Sequence, residues 1–198
     1  TGTSWTDALA TVQAGMTLAA ADGCDLWVAA GTYYTTDGTD RTLSFVIPNR
    51  LAMYGGFEGR ERSRNERDFS LNETILSGDI GTPVVDTDNA HYVVRAESVA
   101  MGTVIDGFTI TGGSATASSN GGGIRVYYTT GLEVSNCTIE DNHSGIEGGG
   151  VWINMSSHVR FDNCTFAHNN STWNGGAMYI GGSGVTVEDS EFQSNRAS

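Results

Sequence analysis

Three residues suited to ligand binding recur at a fixed interval in the second half of the chain. Arg125, Trp152 and Tyr179 are 27 residues apart, and each follows an apolar residue that begins a short strand-like segment. Alternation along a strand predicts that they form one outward-facing column of exposed rings beside a guanidinium. Such a surface suits the apolar faces of sugar rings. The predicted ligand-binding platform comprises Arg125, Trp152, Tyr179, Tyr127 and Asn154.

This column also has a purely structural interpretation. Its aromatic rings could pack beneath the long loops that connect the strands, or against a neighbouring module. The two interpretations differ in whether the rings are exposed or covered.

Acidic residues offer a second kind of chemistry. Asp79, Asp86, Asp88 and Asp106 are dense enough to hold calcium, yet their spacing matches no known calcium loop such as the EF-hand. Lyases and hydrolases of polysaccharides need clustered carboxylates, commonly with calcium and a residue that transfers a proton. The four histidines are scattered, with no nucleophile at a recognisable spacing. We therefore assign no catalytic residue. No cofactor is expected, with calcium as the alternative, and no residues are assigned to a metal site.

Other charged residues are expected to pair with one another. Arg160 falls beside Glu133 and Asp162 in the repeat register, which predicts a cross-strand ion pair rather than a catalytic group. Four arginines lie between residues 60 and 67, interleaved with acidic residues. That pattern predicts a salt-bridged loop rather than a phosphate-binding patch.

Composition narrows the class of protein. The 198 residues suit one domain, and the net charge of -13 makes nucleic acid and membrane surfaces poor partners. No apolar run is long enough for a bilayer span. Three cysteines fit neither a disulfide-rich miniprotein nor a zinc site with paired CxxC motifs.

The strongest signal is an internal repeat. The segment 120–124 recurs at 147–151 and at 174–178, again with a spacing of 27 residues. A period of this size with short alternating strands predicts a solenoid, because one coil cannot bury its apolar face alone. The predicted fold class is all-β, a right-handed parallel β-helix with three sheets and an N-terminal capping α-helix. The residues predicted to face the core in the first unit are Ile124, Val126, Leu132, Val134, Cys137 and Ile139.

Stacked coils bring equivalent polar residues together. Coils about 4.8 Å apart would align side chains in ladders. The predicted structural ladders contain Asn136, Asn163, Asp189, Asn142, Asn169 and Asn195. Cys137 and Cys164 share an inward column, where we favour buried free thiols over a strained disulfide.

One domain, 1–198, is expected. Residues 1–30 form a cap helix and a first strand, with the helix over 4–22 and Ser4 as a capping-box residue. Residues 31–103 form irregular coils with long loops, and residues 104–198 form regular coils of about 27 residues. The helix covers the first coil. The last coil has no such cap, so it either continues into more coils or meets another subunit, which could build a filament.

Segments along most of the chain resemble a family of bacterial surface and secreted β-helix proteins. The matching segments are 4–8, 26–33, 54–59, 64–68, 74–79 and 104–110. The repeats that follow look like those of polymorphic outer-membrane proteins and of the pectate-lyase-like superfamily in general. The resemblance implies a parallel β-helix fold and an extracellular or cell-surface location. It carries no catalytic motif that can be transferred to this sequence.

Two functions from different classes follow from these observations. The first is a noncatalytic extracellular module for adhesion, display or fibre assembly, with a glycan or a neighbouring protein subunit as its partner, including a homopolymer formed through the last coil. The second is a polysaccharide lyase or glycoside hydrolase, with calcium as an optional cofactor. No nucleic-acid partner and no membrane insertion are expected.

Overall fold

The chain forms one α-helix followed by a continuous series of short strands. The computed structural model describes residues 1–83, 85–115 and 119–198. The helix α1 is Val12–Asp22, and single 3-10 turns lie at Trp5–Asp7 and Arg64–Glu66. The strands are β1 (Leu26–Ala29), β2 (Gly31–Tyr34), β3 (Phe45–Val46), β4 (Ala52–Phe57), β5 (Thr74–Ser77), β6 (Val94–Glu97), β7 (Thr103–Asp106), β8 (Thr109–Thr111), β9 (Ile124–Tyr127), β10 (Leu132–Ser135), β11 (Thr138–Glu140), β12 (His143–Ser144), β13 (Val151–Asn154), β14 (Val159–Asp162), β15 (Thr165–Ala167), β16 (Asn170–Ser171), β17 (Met178–Gly181), β18 (Val185–Glu188), β19 (Glu191–Gln193) and β20 (Arg196–Ala197).

The strands assemble into parallel sheets that surround one core. Sheet A has the order β1-β4-β7-β10-β14-β18, sheet B β2-β5-β8-β11-β15-β19, and sheet C β3-β6-β9-β13-β17. The predicted parallel β-helix with three sheets is confirmed. A fourth, three-stranded sheet D, β12-β16-β20, was not predicted. Its strands are two residues long, too short for alternation to be visible in the sequence.

The repeat interval of 27 residues is the register between β9, β13 and β17. Ile124 lies beside Val151, and Val151 lies beside Met178. The six residues predicted to face the core are all buried, with exposed fractions of 0 to 2 %. They join a single apolar cluster that also includes Val12, Met16 and Ala19 of α1. The helix therefore closes the first coil, as predicted.

The predicted start of this helix is wrong. Residues 4–22 do not form one helix, because α1 begins only at Val12. Thr11 caps it by accepting a hydrogen bond from the backbone N–H of Ala14 at 3.2 Å, whereas the Ser4 side chain makes no capping bond. Trp5 packs against Phe57, with ring centroids 5.4 Å apart, so tertiary packing overrides the helical pattern of the first residues. Gly23 ends α1 in the left-handed conformation.

An inner asparagine ladder ties the regular coils together. The Asn142 side chain donates to Asn169 Oδ1 at 3.1 Å, and the Asn169 side chain donates to Asn195 Oδ1 at 3.0 Å. Asn142 and Asn169 are 1 % and 0 % exposed. The prediction that Asn142, Asn169 and Asn195 form a ladder is confirmed.

The outer ladder is shorter than predicted. Asn163 donates to Asn136 Oδ1 at 2.8 Å, and Asn136 donates to Asp106 Oδ1 at the same distance. Asp189 follows in the same left-handed backbone position, with φ of 45°, against 51° for Asn136 and 49° for Asn163. Its carboxylate has no N–H to donate to Asn163, so the side-chain hydrogen bonds end at Asn163.

The two repeated cysteines are buried thiols. Cys137 and Cys164 are 2 % and 1 % exposed and remain free, so the favoured prediction is confirmed over the disulfide. Burial raises the pKa of both thiols, that of Cys164 to about 11. They act as small apolar core residues.

Candidate functional site

The predicted platform lies on the outer face of sheet C. Arg125, Trp152 and Tyr179 are direct neighbours on β9, β13 and β17. Tyr127 and Asn154 are likewise neighbours in the adjacent outward column. The structure therefore brings all five predicted residues together on one surface.

Arg125 lies at the centre of an aromatic group, which we name the Arg125 cluster (Tyr92, Glu97, Arg125, Tyr127, Trp152). The guanidinium carbon lies 4.6 Å from the ring centroid of Trp152, 5.5 Å from that of Tyr92 and 5.6 Å from that of Tyr127. Arg125 Nε donates to Glu97 Oε1 at 3.0 Å. Three ring contacts and an ion pair hold the guanidinium in one position.

Glu97 is shared between two arginines. Arg95 Nη2 donates to Glu97 Oε2 at 2.8 Å, while Arg125 binds the other oxygen. Burial alone raises the pKa of Glu97, but the hydrogen bonds and charges of the two arginines outweigh it and hold the pKa below its usual value. The carboxylate therefore stays charged at neutral pH and fixes the direction of both guanidinium groups.

The prediction that Trp152 is exposed is wrong. The residue is only 6 % exposed, and its indole Nε1 is buried without a hydrogen-bond partner in the described part of the chain. Arg125 lies over the ring, and a Cβ atom at Gly121 would come within 3.0 Å of Trp152 Cβ, so the segment before β9 lies close to the start of its side chain. For this ring, the alternative of packing beneath neighbouring segments is correct.

The accessible aromatic surface lies beside the Arg125 cluster. The rings of Tyr127 and Tyr128 are 4.3 Å apart, and Tyr128 is 54 % exposed. Met155, on the next coil, is also 54 % exposed. Tyr128 and Met155 have positive φ angles of 50° and 49°, unusual for large side chains, at the corner that follows sheet C. Tyr179 is half-buried at the other side. The platform is thus a set of tyrosines supported by Trp152.

Sequence reasoning missed a groove on the outer face of sheet A, which we name the strap groove. It has a volume of about 530 Å³ and is bounded on one side by the loop after β4. Its lining residues are Tyr54, Arg64, Asn65, Arg67, Phe69, Val104, Asp106, Glu133 and Ser135. The alternating basic and acidic residues of the loop predicted ion pairs, but they did not predict that Arg67 would pair with Asp106 on β7.

Arg67 joins the loop that borders the strap groove to sheet A. Arg67 Nη2 donates to Asp106 Oδ2 at 2.7 Å, and Nη1 donates to the carbonyls of Gly55 and Asp106 at 3.2 Å. Arg64 stacks 4.4 Å above the ring of Tyr54. Because Asp106 also accepts from Asn136, the loop, the strand and the outer ladder form one hydrogen-bonded chain.

Arg160 on the same face is paired as predicted. It lies 3.7 Å from Glu133 and 3.1 Å from Asp162, and a third carboxylate, Glu188, lies at 2.7 Å. In the arginine-rich loop, Arg60 pairs with the nearby Glu58, but Arg64 and Arg67 pair with the distant Asp25 and Asp106. The salt-bridged loop is therefore confirmed, although two of these three ion pairs have a partner outside it.

The four aspartates considered for calcium occupy different environments. Asp88 Oδ2 accepts from the backbone N–H of Thr82 within its own loop, whereas Asp106 is held by Arg67 on sheet A. Within residues 1–83, 85–115 and 119–198, no three His, Cys, Asp or Glu side chains come together in a way that could hold a metal ion.

Comparisons with known proteins agree with this architecture. A family model described as a right-handed beta helix region matches residues 75–198, more than half of the chain. The searches of curated proteins and of solved structures gave no significant match. In the described residues, no helix is both long and apolar enough to cross a membrane. Because the family match and the parallel coils agree, the chain belongs to the right-handed β-helix family.

Proposed function

We propose that this chain is a noncatalytic module of an extracellular or cell-surface protein and that it binds glycan on the outer face of sheet C. The observation that carries the proposal is the Arg125 cluster, which holds Tyr127 on the parallel sheet C beside the exposed Tyr128. Fixed tyrosine rings offer a large amphipathic contact area at a low cost in side-chain entropy.

The roles of the platform residues differ. Tyr127, Tyr128 and Tyr179 have accessible surface for sugar faces, and the Asn154 amide beside them can hydrogen-bond hydroxyl groups. Trp152 is buried and supports Arg125 from below. We therefore expect the tyrosines to contact the ligand and Trp152 to stabilise the surface.

A glycan array tests this proposal. For every glycan that the native chain binds on the array, replacing both Tyr127 and Tyr128 with alanine should weaken binding at least tenfold. Each lost aromatic contact contributes about 1 kcal/mol. Tyr34→Ala is the matched control, since Tyr34 is 46 % exposed but lies on sheet B. This platform would be excluded if the double variant bound all of these glycans as the native chain does, or if the native chain bound no glycan on the array.

The ionisable groups on sheet A favour a noncatalytic role. Asp106 is bound by Arg67 and Asn136, and Arg160 is surrounded by three carboxylates. Groups held in ion pairs are poorly placed to exchange protons with a substrate.

A second candidate function is cleavage of polysaccharide in the strap groove. The observation in its favour is the concave shape of the groove together with Glu133 and Asp106 among its lining residues. Incubation with acidic polysaccharides, with and without calcium, should then yield unsaturated products or new reducing ends. The proposed noncatalytic role predicts neither product, and Glu133→Gln should abolish any that forms by cleavage in this groove.

The last coil offers a surface for a protein partner. Its residues Ile180, Val187 and Phe192 are 46 %, 37 % and 53 % exposed, and the strands β17 to β20 each pair on one side only within the described chain. Such edges favour pairing with further strands. We propose that this surface is covered by further coils or by a neighbouring subunit, and that isolated copies of the 198-residue chain meet through it. Light scattering should show a concentration-dependent dimer that Phe192→Glu weakens; a monomer at all concentrations would exclude this contact.

A further inference from the structure

A pocket at the N-terminal end of sheet A borders the edge of a strand. It has a volume of about 700 Å³ and lies between the first residues, α1 and β1. It touches every residue from Cys24 to Ala29. Successive strand residues face opposite sides of a sheet, so a pocket that reaches all of them runs along the strand edge. We name this pocket the edge slot.

The backbone of β1 is available in the edge slot. In the described chain, β1 is the first strand of sheet A and pairs with β4 on one side only. Its other edge therefore presents N–H and C=O groups that no described strand pairs. An unpaired edge in a pocket of this size is suited to an added strand.

The walls of the edge slot are mainly apolar. The helix α1 contributes residues on one face, among them Val12, Leu18 and Ala19. Trp5 and Leu9 close the other side, and Leu26 lies on the strand itself. Apolar side chains of an extended peptide would lose water against these walls, which favours their binding.

Asp22 is the acidic side chain at the edge slot that no described cation pairs. Asp25 and Glu61 also line the slot beside Arg62. However, Asp25 lies 3.8 Å from Arg64, and both Glu61 oxygens accept backbone N–H bonds. Asp22 is the last residue of α1, and the last turn of this helix contains no basic residue to offset its negative end. A basic side chain on the ligand would complement this charge.

We propose that the edge slot binds an extended apolar peptide that carries a basic residue, and that the peptide adds to sheet A as a strand beside β1. Main-chain hydrogen bonds to β1 supply affinity, while alternate side chains contact the apolar wall and Asp22. The four residues of β1 would pair with about 13 Å of such a strand. This site is independent of the glycan platform on sheet C.

A random octapeptide library displayed on phage is the probe. Selection on the 198-residue chain should enrich peptides that alternate apolar residues and contain Lys or Arg. Methylation of alternate backbone nitrogens in an enriched peptide should weaken binding at least tenfold, because it removes the main-chain hydrogen bonds. Equal binding of the methylated peptide, or no enrichment, would overturn the proposal.

Two variants locate the binding site. Leu18→Glu should abolish binding, with Leu71→Glu as its control because Leu71 is 80 % exposed and does not line the slot. Asp22→Asn changes an exposed residue without threatening the fold, and it should weaken basic peptides several-fold at low salt. If both slot variants bind enriched peptides as the native chain does, the peptide does not lie in the edge slot.

Discussion

Arg67 and Asp106 form an ion pair of 2.7 Å in which each side chain is only 12 % exposed. The pair joins the loop after β4 to β7, 39 residues further along the chain. Removal of one partner from such a pair leaves the other charge almost without water or a counterion.

Arg67→Ala should therefore lower the free energy of unfolding by about 3 kcal/mol. The measurement is urea denaturation followed by tryptophan fluorescence. Arg60→Ala is the control, because its ion pair with Glu58 is largely exposed and should contribute almost nothing. Equal losses in the two variants would show that the buried pair does not fasten the loop.

Asn169→Ala should destabilise the chain strongly, while Asn170→Ala should not. The Asn169 amide donates to Ile139 O at 2.8 Å and to Asn195 Oδ1 at 3.0 Å, and the residue is fully buried. Leaving buried acceptors without a donor should cost about 2 to 4 kcal/mol. Asn170 is exposed, so its replacement should leave the melting temperature almost unchanged. Similar melting temperatures for the two variants would contradict a stabilising role for the inner ladder.

Asp189→Asn should stabilise the chain. An amide at this position can donate to Asn163 Oδ1, which would extend the outer ladder by one hydrogen bond and about 1 kcal/mol. Asp141→Asn controls for the preference of asparagine for positive φ, because Asp141 has a φ of 51° outside this ladder. Thermal unfolding that shifts equally in both variants would argue against an added bond.

Only one of the three thiols should react in the native chain. Cys24 is exposed, whereas burial raises the pKa of Cys164 to about 11 and that of Cys137 even higher. Iodoacetamide at pH 8 should add one label to the native chain and three in urea, counted by intact mass. Rapid labelling of Cys137 or Cys164 without urea would show that the coils open readily.

The contribution of Glu97 to stability should depend on pH. Its pKa is lowered in the folded chain, so the stabilisation is complete above the unfolded value near 4.5 and is lost as the pH falls through the lower, folded value. The stability difference between the native chain and Glu97→Gln should thus shrink below pH 4.5. Glu133→Gln, at a half-exposed site, should show a much smaller difference at every pH. A difference for Glu97→Gln that persists unchanged at low pH would exclude the ion pairs as its cause.

The stacking of the coils could be predicted because it depends on local pattern. The 27-residue interval places Ile124, Val151 and Met178 in one column, and alternation within each strand decides which side chains face inward. The ladders follow from the same interval. The prediction that Asp189 continues the outer ladder was wrong. Its backbone has the same conformation as those of Asn136 and Asn163, but its side chain has no hydrogen-bond donor.

The two candidate surfaces were harder to predict. Alternation shows that Trp152 points away from the core, but not that Arg125 lies over it or that Gly121 approaches it. Likewise, Arg67 reaches Asp106 because of the path of a long loop, which no periodicity specifies. The edge slot depends on the position of α1 relative to β1, and the sequence pattern placed the start of this helix wrongly.

The alignment of equivalent residues in neighbouring coils has a consequence for how such a chain can change its length. Removing 27 consecutive residues, such as 125–151, would join Ile124 directly to Trp152. Because Trp152 occupies the place of Arg125 in the next coil, inward-facing and outward-facing residues would keep their columns. The molecule would shorten by one strand spacing, about 4.8 Å. A single-residue deletion within a strand would instead turn core residues towards solvent. The turns tolerate small differences, since Val185 lies beside Val159 at an interval of 26 residues. Whole coils can therefore be lost or gained without disturbing the columns, and single residues only in the turns.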